Sequence, residues 1–157
     1  DLGIGFQLTN ISRDIIDDAR IERIYLPKSW LEEEGVAYST AAILDPDNRH
    51  AIARVARRLV MEAEPYYASS VYGIAHLPFR AAWAIATAKR IYRRIGMEVL
   101  AKGEQAWDDR AGTSTLQKIG YVFLGLGDAI VSRFRKSATG TNRTGLWTRA
   151  TDLEAVD

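Results

Sequence analysis

Two aspartates near the start of the chain have the residue type and spacing that metal chemistry needs. Asp14 and Asp18 are four residues apart in a stretch, DLGIGFQLTNISRDIIDDA, that has helical periodicity from Asp1 to Ala19. On a helix they share one polar stripe with Gln7 and Asn10. The adjacent apolar stripe consists of Ile4, Leu8, Ile11 and Ile15. Because a helix that is apolar on most other sides is normally buried, we expect the polar stripe to face away from bulk water. Like charges placed there repel unless a positive partner lies between them.

The types of side chain on the stripe limit which cation could bind there. Carboxylates without histidine or cysteine favour a hard ion, and Mg²⁺ is commonly held by one or two carboxylates together with substrate phosphate oxygens. Arg13, Arg20 and Arg23 lie on and just after the same stretch, and guanidinium groups suit phosphate oxygens. These residues predict a diphosphate site that uses magnesium. A structural alternative stays open, in which the aspartates pair with arginines of neighbouring helices, because D-x-x-x-D alone is a weak motif.

Composition and charge exclude several classes of protein. The 157 residues carry 21 Lys plus Arg against 20 Asp plus Glu, and a net charge of +1 gives no general attraction to nucleic acid. The absence of cysteine excludes disulfides and thiolate zinc sites, and His50 and His76 have no partner at metal-ligand spacing. No glycine-rich phosphate loop is present, and no apolar run approaches the roughly 20 residues of a membrane span. The chain starts without Met inside a helical pattern, so we expect it to be a fragment.

The middle of the sequence predicts two further helices. A short helix, WLEEEG, is expected with Ser29 as its N-terminal cap and Gly35 as its end. After a loop, Asp47 should cap a long helix that ends near Gly73. Pro65 should kink this helix, because proline removes a backbone donor and clashes with the preceding turn.

The remainder predicts two more helices and no strand. One begins at Pro78, a residue that suits a first turn, and ends at Gly103. The last runs from about residue 114 to residue 135. The fold class is therefore all-α. We expect one folded unit over residues 1–135 and a loosely structured tail over residues 136–157.

A longer pattern around the aspartates is far more specific than the pair itself. Residues 7–27 read QLTNISRDIIDDARIERIYLP, and this segment resembles the second aspartate-rich signature of the squalene/phytoene synthase family. Three further blocks resemble those of the family's bacterial phytoene synthases: AEPYY (63–67), LPFRAAWAIATAKRIYRRIG (77–96) and AWDDR (106–110). The chain is identified as a member of this family and resembles its C-terminal half.

The resemblance implies both a fold and an activity. The fold would be part of an isoprenoid-synthase-type bundle of helices around a central cavity. The activity would be the head-to-head condensation of two geranylgeranyl diphosphates to phytoene through prephytoene diphosphate, a prenyltransferase reaction of carotenoid biosynthesis. Ionisation of the diphosphate would depend on Mg²⁺, with Mn²⁺ as a substitute, and no NADPH is expected.

The resemblance also implies roles for individual residues. Asn10, Asp14 and Asp18 would bind Mg²⁺ that bridges to diphosphate. Asp14, Asp18 and Tyr92 would act in catalysis. The substrate diphosphate would be bound by Gln7, Arg13, Arg23, Tyr25 and Arg110. Asp17 lies off the centre of the polar stripe and is taken as a bystander.

Two alternatives to a phytoene synthase stay open. A squalene- or dehydrosqualene-type synthase would use farnesyl diphosphate, and the squalene type would also use NADPH. A non-catalytic scaffold member of the fold would be expected to lack the acid stripe, which is intact here. The family's first aspartate-rich motif has no counterpart in this chain, so we expect the chain alone to be inactive.

The very apolar product implies a location. We expect a bacterial cytoplasmic protein that contacts a membrane surface peripherally, without an anchor segment. Downstream carotenoid enzymes are candidate partners, and nucleic acid is not.

Overall fold

The computed structural model describes residues 1–108, 115–134 and 145–146. These residues contain six α-helices and no strand, which confirms the predicted all-α class. The helices are α1 (Leu2–Arg20), α2 (Lys28–Glu33), α3 (Thr40–Leu44), α4 (Arg49–His76), α5 (Phe79–Lys102) and α6 (Thr115–Phe134). Short 3-10 segments at Pro46–Asn48 and Gly103–Trp107 follow α3 and α5.

The main apolar core lies between α1 and α4 and is closed at one end by α2 and α3. Its centre includes side chains from α2, α3 and α4 that are at most 2% exposed: Leu31, Ile43, Ile52, Val55 and Leu59. Burial of each such side chain contributes roughly 1.5–3 kcal/mol. The core therefore packs the C-terminal part of α1 against α3 and α4, while α2 packs against α4.

The face of α1 that packs against α4 and α5 carries small side chains. Its buried residues include Gly5, Thr9, Ser12 and Ala19, whose spacing places them on one side of the helix. A Cβ at Gly5 would lie 3.2 Å from the ring of Tyr67 in α4, inside the optimal carbon–carbon separation of about 3.5–4.0 Å. This close approach sets the distance between α1 and α4.

A buried hydrogen-bond junction fixes the same contact. Tyr67 is 2% exposed; its hydroxyl donates to the carbonyl oxygen of Gly5 at 3.0 Å and lies 2.7 Å from the hydroxyl oxygen of Thr9. Because the Tyr67 proton is directed at Gly5, the Thr9 hydroxyl acts as donor to Tyr67. Burial raises the pKa of Tyr67 to about 12. The junction positions α1 along α4 as well as against it.

The crossing of α5 and α6 depends on another glycine. A Cβ at Gly125 of α6 would lie 2.9 Å from the backbone N and Cα of Thr87 in α5, so an alanine there requires the helices to separate. The indole N–H of Trp83 donates to the carbonyl oxygen of Val122 at 2.8 Å across the same crossing. A small second core lies beside it: Ile74, Ala82, Ala86 and Ala129.

The predicted N-terminal cap of the short helix is wrong. Pro27, with an extended ψ of 129°, occupies the N-cap position, and α2 begins at once with Lys28. Ser29 therefore lies inside the first turn. The predicted end is correct, because Gly35 adopts a positive φ of 74°, and the amide of Val36 donates to the carbonyl oxygen of Leu31 at 2.9 Å.

The predicted cap of the long helix is also wrong, and a helix before it was missed. The Asp45 carboxylate accepts from the amide of Asp47 at 3.0 Å and caps a 3-10 segment that contains Asp47. α4 begins only after this segment and continues through Pro65 to His76, beyond the predicted end at Gly73. The missed helix, α3, begins where the Ser39 hydroxyl accepts from the amide of Ala42 at 3.2 Å.

The last two helices lie close to their predicted bounds. α5 ends at Lys102 and is followed by Gly103, the predicted end residue, as its C-cap with a positive φ of 54°; α6 spans Thr115–Phe134. Of the predicted tail over residues 136–157, all but residues 145–146 lie outside the described residues.

Candidate active site

The polar stripe of α1 lies nearly opposite the helix's packed face. Gln7 is exposed, and Asn10, Asp14 and Asp18 are each partly exposed. The prediction that the stripe is buried is therefore wrong for the described residues. The cause is that α4 and α5 cover the side of Gly5, Thr9 and Ser12, which is about half a turn away from the stripe.

Three residues of the predicted apolar stripe line a surface groove. Ile4, Leu8 and Ile11 are partly exposed, and only Ile15 of that stripe is buried. The groove has a volume of about 630 Å³, and its other walls are formed by residues of the α1–α2 connection, α2 and α4: Tyr25, Pro27, Trp30, Leu59, Glu62 and Tyr66. The polar stripe thus runs along the edge of an apolar groove.

Asp14 is bound by the arginine that precedes it in the chain. Arg13 donates from Nε to Oδ1 of Asp14 at 2.7 Å and from Nη2 to Oδ2 at 2.5 Å. This bidentate geometry is the stronger form of a charge-assisted pair. The hydrogen bond to Asp14 raises the pKa of Arg13, so Arg13 keeps its charge beside the stripe.

The surroundings of Asp18 disfavour the charged form of its carboxyl group. Partial burial raises the pKa of its carboxyl group, and the charge of Asp14 raises it further, while Arg23 lowers it. The amide of Arg23 donates to the carbonyl oxygen of Asp18 at 2.9 Å, which holds this arginine beside the carboxylate. Asp18, Arg23 and Tyr25 line one small recess. The repulsion between Asp14 and Asp18 is what a bound cation would relieve.

An aromatic pair adjoins the other side of the stripe. Tyr92 of α5 stacks on Phe6 of α1 with ring centroids 4.2 Å apart and an interplanar angle of 29°. Tyr92 is partly buried and lies near enough to Arg13 to affect its pKa. Arg13 therefore lies near both the Asp14 carboxylate and the aromatic pair.

The structure brings together most of the residues predicted for the site. Asn10, Asp14, Asp18, Arg13, Arg23 and Tyr25 lie on or directly after α1, with Tyr92 beside them and Gln7 on the same face. Arg110 lies outside the described residues. Within the described part of the chain, no three His, Cys, Asp or Glu side chains are grouped so that they could hold a metal ion. The oxygen donors of Asn10, Asp14 and Asp18, two carboxylates and one amide, suit Mg²⁺ that takes its other ligands from substrate or water.

Sequence reasoning missed the residues that position the site. Tyr67, Thr9 and Gly5 fix α1 against α4. A signal was present, because Gly5, Thr9 and Ser12 are small residues at helical spacing, which is typical of a close helix contact. The prediction instead took the side with the larger apolar residues as the buried face, and this was wrong.

Comparison with known proteins identifies the family. A family model described as squalene/phytoene synthase matches residues 1–117. The chain therefore belongs to the squalene/phytoene synthase family. It is 56% identical over 135 residues to the 15-cis-phytoene synthase of Pantoea ananas, covering 86% of this chain and 43% of that relative.

Other curated relatives of the chain are also phytoene synthases. The chain is 51% identical over 149 residues to the 15-cis-phytoene synthase of Enterobacter agglomerans, covering 95% of this chain and 49% of the relative. It is 48% identical over 149 residues to that of Paracoccus sp. (strain N81106), covering 95% and 47%. No solved structure matches the chain. The chain spans about half the length of the curated relatives it matches.

Proposed function

We propose that this chain is part of a phytoene synthase, which joins two geranylgeranyl diphosphates head to head, through prephytoene diphosphate, to give phytoene. The observation that carries the proposal is the grouping of Asn10, Asp14 and Asp18 on an accessible face of α1 with Arg13 and, just after the helix, Arg23. Identities of 48–56% to proteins named 15-cis-phytoene synthase support this choice of substrate and product.

In this proposal the polar stripe holds the metal. Asn10, Asp14 and Asp18 bind Mg²⁺, for which Mn²⁺ can substitute, through oxygen atoms. When bound, the ion supplies Lewis-acid stabilisation of the charge that develops on the departing diphosphate, an effect worth several kcal/mol. The Arg13 guanidinium, which donates to both oxygens of Asp14, holds that carboxylate in one orientation.

The neighbouring cations and hydroxyl bind the diphosphate. Arg13 and Arg23 contact its oxygens, Tyr25 donates a hydrogen bond, and Gln7 and Arg110 complete the set. Tyr25 is 51% exposed, so its hydroxyl is accessible from the groove side of the stripe. These donors act where negative charge grows during bond cleavage, which is where they lower the barrier most.

The aromatic pair of Tyr92 and Phe6 stabilises the carbocation in this proposal. Loss of diphosphate leaves an allylic cation, and the ring faces of Tyr92 and Phe6 stabilise a cation by about 0.5–2 kcal/mol. The same apolar surface keeps water from quenching the cation. Tyr92 stacks on Phe6 with ring centroids 4.2 Å apart and affects the pKa of Arg13, and this proximity supports a role beside the diphosphate.

Product identification tests the proposed reaction. The full-length gene product is incubated with geranylgeranyl diphosphate and Mg²⁺, without NADPH, and compared with the variants Asp14→Ala and Asp17→Ala. Asp17 is exposed, and its carboxylate forms a surface ion pair with Arg20 at 3.0 Å. It is therefore a matched control on the same helix. We expect phytoene from the parent protein and from Asp17→Ala, and a loss of at least ~100-fold in Asp14→Ala.

Other outcomes would select the alternatives. A C30 product from farnesyl diphosphate, with none from geranylgeranyl diphosphate, would assign a squalene- or dehydrosqualene-type synthase. No product from either substrate would assign a non-catalytic scaffold role. The intact stripe Asn10, Asp14 and Asp18 favours an enzyme over a scaffold.

We also propose that the protein works as a peripheral protein at the cytoplasmic surface of a bacterial membrane, where downstream carotenoid enzymes receive its apolar product. Within the described residues, no helix is both long and apolar enough to cross a membrane. Support comes from apolar residues of α6 that are 37–69% exposed: Val122, Phe123, Leu124, Ile130 and Val131. Co-sedimentation with phospholipid vesicles should fall in a Phe123→Ser/Leu124→Ser variant and persist in Lys28→Gln; equal sedimentation of both variants would contradict this role of α6.

A further inference from the structure

A second cavity lies between α4, α5 and α6, away from the polar stripe. Its volume is about 540 Å³, within the range of about 300–1,000 Å³ that is usual for small-molecule sites. None of the residues proposed to bind metal or diphosphate lines it. Four cations and two carboxylates do: Lys89, Arg90, Arg93, Arg94, Glu64 and Asp128.

Two of these cations are already neutralised. Arg90 donates to both carboxylate oxygens of Asp128, at 2.5 Å and 2.7 Å. Arg93 donates from Nε to both carboxylate oxygens of Glu64, at 2.9 Å each. Each carboxylate therefore has its partner, and two positive charges remain in the cavity, on Lys89 and Arg94. Neither side chain makes a hydrogen bond or ion pair with another described residue.

Lys89 has surroundings that do not suit an unpaired ammonium group. It is partly buried, and burial lowers its pKa. Apolar residues also line the cavity: Val71, Ile74, Ala86, Met97 and Val131. A positive charge in such a place costs free energy unless an anion compensates it. The cavity thus combines an excess of two positive charges over negative ones with apolar surface.

We propose that this cavity binds an anionic amphiphile, with a phosphate headgroup at Lys89 and Arg94 and a hydrocarbon chain along the apolar wall. A phosphate monoester carries up to two negative charges, which matches the two uncompensated cations. The ligand is either a membrane phospholipid with a phosphomonoester headgroup or a free phosphorylated hydrocarbon. The site is separate from the polar stripe of α1 and does not depend on the reaction proposed for it.

Calorimetric titration of the full-length protein with decyl phosphate, below its micelle concentration and with EDTA present, tests the headgroup contacts. We expect Lys89→Gln and Arg94→Gln each to weaken binding by about tenfold or more, because each removes a charge-assisted contact. Lys28→Gln, an exposed lysine on α2, should leave binding unchanged. Arg23→Gln controls for the diphosphate site: a loss there with none in Lys89→Gln would overturn the assignment to this cavity.

Chemical labelling locates the ligand directly. Decyl phosphate should protect the Lys89 amine from an amine-reactive reagent at least fivefold, while Lys28 in the same protein stays unprotected. Dihexanoylphosphatidic acid and inorganic phosphate are compared in the same assay. Stronger protection by the lipid points to a membrane source, and stronger protection by decyl phosphate points to a free phosphorylated chain. Equal protection by inorganic phosphate, or no protection by any probe, would overturn the proposal.

Discussion

Replacing Gly5 with alanine should weaken the contact that positions the site helix. A Cβ at this position would lie 3.2–3.3 Å from three atoms of the Tyr67 ring. The ring cannot easily move away, because Tyr67 is buried and its hydroxyl is hydrogen-bonded to Gly5 and Thr9. Either α1 shifts away from α4, or the hydroxyl loses its hydrogen-bond geometry.

The magnitude follows from two opposing effects. Alanine favours a helix interior over glycine by about 1 kcal/mol, whereas overpacking a filled core costs about 1–3 kcal/mol. We therefore expect Gly5→Ala to lower the free energy of unfolding by about 1 kcal/mol. Gly3 is the matched control, since it lies in the same helix and a Cβ there would meet nothing within 4 Å. Gly3→Ala should be neutral or stabilising by up to about 1 kcal/mol.

Thermal unfolding of the two full-length variants measures this difference. A gap of about 1–2 kcal/mol corresponds to roughly 2–8 °C in Tm for a domain of 150–250 residues. Gly5→Ala should also lower turnover more than Gly3→Ala, because a shift of α1 moves the polar stripe. If Gly5→Ala melts at or above the temperature of Gly3→Ala, the close packing on Tyr67 does not determine the position of α1.

Three further predictions concern packing and buried hydroxyls. Gly125→Ala should lower the urea midpoint strongly, because its Cβ would meet the Thr87 backbone at 2.9 Å, whereas Gly127→Ala, with nothing within 4 Å, should not; equal midpoints would contradict the crossing. Thr87→Val should raise the free energy of unfolding by roughly 1 kcal/mol, since the buried Thr87 hydroxyl has no partner among the described residues. If urea denaturation gives a lower free energy of unfolding for the variant, the hydroxyl is hydrogen-bonded in the parent protein. Tyr67→Phe should lower the free energy of unfolding by about 1–3 kcal/mol at pH 7. With a pKa of about 12 against 10.0, Tyr67 contributes stability that is present below pH 10 and lost toward pH 12, so melts across that range should converge for the parent and the variant.

The helices that carry the site could be predicted from sequence because their signals are local. α1 and α5 are long, and their ends coincide with a charged segment and with Gly103, whose positive φ ends the helix. The ends near Ser29 and Asp47 could not be predicted in the same way. Several residues there could cap, and the extended backbone at Pro27 and the turn at Asp45 decide which one does.

The orientation of α1 could not be read from its apolar residues. Ile4, Leu8 and Ile11 form the more hydrophobic stripe, yet α4 packs on the side of Gly5 and Thr9. Close approach of two helices gains contact along the whole backbone, and this depends on small side chains that a hydrophobicity pattern undervalues. Which residues share the polar stripe was nevertheless predictable, because helical spacing alone places them together.

The Mg²⁺ dependence of diphosphate release from geranylgeranyl diphosphate tests the central proposal most directly. In the full-length protein we predict that Asp14→Asn and Asp18→Asn need more Mg²⁺ for half-maximal rate and lose at least ~100-fold in turnover. Asp17→Asn, one residue away from Asp18 and exposed, should match the parent protein. If Asp14→Asn and Asp18→Asn keep the parent's Mg²⁺ dependence and rate, the polar stripe of α1 is not the metal site.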